Sequence, residues 1–147
     1  MMEDVYIERS DKETEEFIAE ESSAFLETKI NYLKEHKNEF IYFETSELTE
    51  IGVDSLSIEV DDVFATYDVM LGLKLAKKQD SAIRAFLDQE LNGNDIKYDL
   101  MFDQGDGLWN VNFTLDYVSG FMEDMTLASA LRLIIDFLTR LVKFVKE

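Results

Sequence analysis

Residues 96–117 read IKYDLMFDQGDGLWNVNFTLDY, and this stretch decides the fold class. Ile96, Tyr98, Leu100 and Phe102 fall on one side of a period-two pattern. Trp109, Val111, Phe113, Leu115 and Tyr117 repeat it after the turn Asp103-Gln104-Gly105-Asp106-Gly107. Asn110, Asn112, Thr114 and Asp116 occupy the other side. Period two with one apolar face describes strands that pack on a core and leave their other face to water. An Asp/Gly-rich link between two such runs is a hairpin signal. The chain therefore contains an antiparallel sheet.

Working outward, Phe40–Phe43 is an aromatic and β-branched run, Leu56–Val60 alternates cleanly, and Val63–Ala76 alternates at length. These are three further strands, with Asp61-Asp62 turning the chain between the second and third. Thr14–Lys37 has helical spacing through Ile18, Phe25, Leu26, Ile30 and Leu33, and Thr14 suits an N-cap. Gln79–Leu91 places Ile83, Phe86, Leu87 and Leu91 on one helical face, and Asn92-Gly93-Asn94 follows as its end. Met122–Lys146 carries Leu127, Leu131, Ile134, Leu138, Leu141 and Val145 as one stripe, with Leu133, Phe137 and Phe144 beside it. The expected fold is one α+β domain over residues 13–147 behind a flexible acidic tail, residues 1–12. Its order is α-βββ-α-ββ-α, with a mostly antiparallel five-stranded sheet and the first and last helices on one face.

The charge is extreme: 14 Lys and Arg against 32 Asp and Glu, a net of −18 over 147 residues. Nucleic acid and anionic membranes are repelled by such a surface, whereas a basic or amphipathic protein is steered in. There is no Cys, so disulfides and thiol chemistry are excluded. No basic segment leads into an apolar run at the N-terminus, so no secretory signal is expected. No apolar stretch approaches the ~18 residues that span a bilayer, and the expected compartment is the cytoplasm.

Chemistry has little to work with. His36 is the only histidine and reads as a boundary residue near a helix end. Asp68, on the polar face of the third strand, becomes a perturbed carboxylate only if that face is covered. Asp103–Gly107 lacks the ordered oxygen ligands of a calcium loop, and Gly72, Gly105 and Gly107 do not compose a phosphate loop. Trp109 alternates with core residues. No catalytic, metal or cofactor residue is expected, and no cofactor.

The expected order resembles the fold of type III secretion chaperones, which are small acidic homodimers. The stretch from Ala85-Phe86-Leu87 through Tyr98-Asp99-Leu100, Asp103–Gly107, Asn112-Phe113-Thr114-Leu115 and Ser119-Gly120 into the last helix resembles the YbjN-type family of sensory transduction regulators, similar to those chaperones in fold. The resemblance covers residues 80–145 and implies a binding or chaperone-like role with no catalytic residue. The expectation is therefore a non-enzymatic protein-interaction module, chaperone-like or an adaptor. A carboxylate-based or ion-dependent enzyme and a small acidic immunity or inhibitor protein are the alternatives. The width of the last helix's apolar surface adds the expectation of a homodimer or of a partner docked there.

Overall fold

A computed structural model describes residues 4–93 and 97–147. Its centre is one antiparallel sheet of seven strands in the order β2-β1-β3-β4-β5-β7-β6. The strands are β1 (Tyr6–Asp11), β2 (Phe17–Glu21), β3 (Glu39–Glu44), β4 (Val53–Val60), β5 (Tyr67–Leu73), β6 (Tyr98–Asp103) and β7 (Leu108–Thr114). The helices are α1 (Tyr32–Glu35), α2 (Ser46–Glu50), α3 (Asp80–Glu90) and α4 (Leu127–Lys146), with short 3-10 turns at Ser23–Glu27, Lys77–Gln79 and Leu115–Tyr117. The α+β class and the antiparallel pairing agree with the sequence reading. The five-stranded sheet, the order α-βββ-α-ββ-α and the chaperone-like topology do not: two more strands and a broken first helix replace them.

The difference lies in the first 37 residues. Tyr6–Asp11, expected within a frayed tail, is β1, and Ile7 is fully buried. Thr14–Lys37 is β2, a 3-10 turn and a single turn of helix. A continuous helix there would set Glu16 and Glu20 one turn apart on one face, a like-charge contact that destabilises helices. Ser22 and Ser23 would add weak helix formers at its middle. In the hairpin, acids beside them find partners: Arg9 Nε donates to Glu21 at 2.8 Å, and Asp11 Oδ1 accepts from the amides of Glu13 and Thr14 at 2.9 Å each. Leu26, Ile30 and Leu33 are buried as their spacing demands. Successive turns laid on a core return a side chain every three or four residues, just as a helix does.

Elsewhere the boundaries shift. The third expected strand starts at Tyr67 because residues 61–66 form the turn into it. The fifth ends at Thr114 in the 3-10 turn. α4 starts after Thr126, whose Oγ1 caps Ser129 N–H at 3.1 Å. α2 was not expected; Thr45 Oγ1 caps it through Leu48 N–H at 3.1 Å. Asn94 and Ile96 lie outside the described residues.

The core lies on one face of the sheet. Ile41, Phe43, Ile58, Val69, Leu71, Val111 and Phe113 point there, and the buried stripe of α4 packs over them. Phe137 meets Phe113 with ring centroids 5.1 Å apart, and Phe86 of α3 packs on the second stripe, 5.4 Å from Phe137 and 5.6 Å from Phe144, which stays 40% exposed. The wide apolar surface of the last helix is thus largely consumed inside the chain. Among the described residues no helix is long and apolar enough to cross a membrane.

Candidate functional site

Among the described residues, no helix lies over the opposite face of the sheet. Register fixes what it displays. One row runs Glu20, Glu8, Tyr42, Ser57, Met70, Asn112, Asp99 across all seven strands. The row toward the β4–β5 turn contains Ser10 and Phe40 on one side, and Glu59, Asp68 and Thr114 on the other. Apart from Ser10, these side chains are half-buried or exposed. The face mixes carboxylates with Phe40, Tyr42, Met70 and, near its edge, Met101, which is 64% exposed.

Its densest chemistry is at the β4–β5 turn. Asp68, Asp61, Phe64, Tyr98, Asp99 and Asn112 line a cleft of about 350 Å³. Burial pushes the Asp68 carboxyl up to about 6, and the negative charges of Asp61, Glu59 and Asp116 push in the same direction. Burial also raises Glu59 and Asp116. Asp61 moves the other way, because the amides of Phe64 and Val63 hydrogen-bond its carboxylate. Sequence reasoning singled out Asp68 and made its perturbation depend on cover; half-burial in this cleft supplies it.

The sign of the Asp68 effect on stability follows from linkage. An acid whose folded value lies above its unfolded value, about 3.9, gives up its proton more readily in the unfolded chain. Its contribution to stability is then lost as pH rises from about 4 to about 6 and stays lost above. Asp68→Asn removes that penalty. At about pH 8 the variant is expected to gain about 1–2 kcal/mol, a value reduced from the full shift for partial exposure, with almost no gain at about pH 4. Urea unfolding of both proteins at the two pH values checks this; the same gain at both would contradict it.

The other singled-out residues are explained by structure. His36 stacks on Tyr32, 4.0 Å between ring centroids, and its Nδ1 lies 2.9 Å from the Tyr32 carbonyl oxygen. Asp103 Oδ1 accepts from Gly105 N–H at 2.8 Å and Asp106 N–H at 3.2 Å, and Gly107 takes a φ of 67° to close the hairpin. Trp109 is buried, with Nε1 donating to the Ala76 carbonyl at 3.1 Å. Among the described residues no three His, Asp or Glu side chains are grouped so as to hold a metal ion.

A second concavity, a groove of about 440 Å³, runs beside the first half of α4 between Leu26, Met125, Ala128 and Leu133. On its rim, Arg132 grips Glu47 through two 2.7 Å hydrogen bonds. No family model, curated protein or solved structure matches the chain.

Proposed function

We propose that the chain is a non-enzymatic protein-interaction module, an adaptor or chaperone-like binder, whose open sheet face receives a basic, amphipathic segment of a partner protein. The observation that carries this reading is the composition of that face: carboxylates interleaved with half-buried aromatic and Met side chains on a surface that no helix covers among the described residues. Apolar contact supplies affinity, and the net charge of −18 supplies selection for Lys and Arg and rejection of nucleic acid. The resemblance of residues 80–145 to the YbjN-type family points toward binding as well. A small acidic inhibitor of a basic partner is a special case of the same chemistry. Self-association has less to support it, since α3 and the sheet take up most of the α4 surface that suggested it.

An acid–base enzyme is the second reading, favoured by one observation: a raised Asp68 beside an ionised Asp61 in one cleft. Asp61 Oδ1 is engaged by the amides of its own turn. Turnover that vanishes in Asp68→Asn would favour the enzyme.

Calorimetric titration tests the binding reading. A helical peptide of Lys and Leu is expected to bind, with affinity falling as salt rises, while the matching Glu/Leu peptide does not. Equal binding of the two, or of neither, would count against the proposal.

A further inference from the structure

The turn between β4 and β5 exposes two apolar side chains that do nothing for the fold. Val63 is 81% exposed and Phe64 76%. Turn positions of this kind are ordinarily filled by Gly, Asn, Asp or Ser. This turn also places Ala65 at a φ of +56°, a conformation that disfavours any residue with a Cβ.

The strained turn is fastened from several sides. Asp61 Oδ1 accepts from the amides of Val63 and Phe64 at 2.8 Å each. The Asp61 carbonyl accepts from Ala65 N–H at 2.9 Å, and Asp61 N–H donates to the Thr66 carbonyl at 2.8 Å. From the neighbouring hairpin Lys12 Nζ donates to the Val60 carbonyl at 2.6 Å and to Asp62 at 2.9 Å. The backbone that carries Val63 and Phe64 is therefore held in place before anything binds. Around the pair stand Asp61 and Asp62, with Glu59 and Asp68 behind them, four acids against Lys12, which pairs with Asp62 and Glu59, and Lys97 in the cleft that Phe64 also lines.

We infer that Val63 and Phe64 are the preorganised anchor of the interface, and that the acidic ring about them recognises the Lys and Arg residues flanking the apolar stripe of a basic amphipathic segment. An apolar centre with a polar rim is the usual anatomy of a binding hot spot. Fixing the turn in advance removes an ordering cost that binding would otherwise carry. Charge complementarity selects the occupant. A second copy of this chain would bring a net −18 toward the same acids, and an anionic membrane would be repelled likewise.

This inference rests on the protein-binding reading, and the test separates the two. The same Lys/Leu peptide is titrated into wild type, Phe64→Ala, Ala65→Gly and Met122→Ala; Met122 is an apolar residue, 61% exposed, outside the turn and its cleft. Phe64→Ala is expected to weaken binding at least about tenfold, the loss typical of a hot-spot residue, without lowering the unfolding temperature. Ala65→Gly, which relieves the strain and loosens the turn, is expected to weaken binding while keeping the fold. Met122→Ala is expected to bind as wild type does. If wild type binds and Phe64→Ala binds equally well, the anchor is refuted and the broader reading survives. If Met122→Ala loses as much as Phe64→Ala, the anchor is refuted too. If wild type does not bind the peptide, both fall. Sedimentation that shows wild-type self-association abolished by Phe64→Ala would replace the proposed partner with a second copy.

Discussion

Arg9→Ala is expected to destabilise the protein by about 3–5 kcal/mol, the usual consequence of leaving one member of a buried ion pair alone. Arg9 bridges Glu21 of β2 at 2.8 Å and Glu39 of β3 at 3.1 Å, and its Nη1 also donates to the Tyr32 hydroxyl at 3.1 Å. The Tyr32 hydroxyl in turn donates to Glu39 at 2.8 Å. The Glu39 side chain is only 8% exposed, so truncation leaves a carboxylate that keeps the Tyr32 hydroxyl but loses its Arg9 counter-charge with little access to water. The same change removes a side-chain tie between β1 and β3, which are otherwise joined by their backbone ladder. Pairing Arg9→Met with Glu39→Leu exchanges the pair for apolar volume and is expected to restore most of the loss. Urea unfolding of the two variants measures both effects. A loss below about 1 kcal/mol for Arg9→Ala would mean that β1 and β2 are held by backbone pairing alone.

Phe113→Ala carries the other large effect. Phe113 is 2% exposed, sits at the centre of β7 between β5 and β6, and packs against Phe137 of α4. Removing its ring opens a cavity where sheet and helix meet, and a buried Phe→Ala change costs about 3–5 kcal/mol. Because the ring joins two elements, the Phe137→Ala change is expected to be less than additive with it. A loss under about 1 kcal/mol in urea would place Phe113 on the wet face and reverse the assignment of the sheet's two sides.

How much of this could be read in the chain depends on what each segment buries. The β6–β7 hairpin was legible because one face is wholly apolar and the turn has its own chemistry. α3 and α4 were legible because their buried stripes are long. The first 37 residues misled for a physical reason. β2 is an edge strand whose Phe17 and Ile18 stay exposed, so it shows no clean period of two. Leu26, Ile30 and Leu33 imitate a helix because turns and helices share a spacing. Arg9, the residue that makes the hairpin pay, has partners 12 and 30 positions away, and no local pattern announces them. Asp68 was visible as a carboxylate on a mixed face. Phe64 was hidden inside an expected strand, although Asp61-Asp62 already marked a turn and an Asp can staple the two amides that follow it.

The central claim is that the open sheet face, not the α4 groove, receives a basic amphipathic partner. Backbone amide chemical shifts followed by NMR during titration with the Lys/Leu peptide test it most directly. The account predicts perturbations centred on Val63, Phe64, Asp68, Asp99 and Asn112, extending along the row through Met70 and Tyr42. Perturbations confined to Leu26, Met125, Ala128 and Leu133, with the sheet face silent, would contradict it.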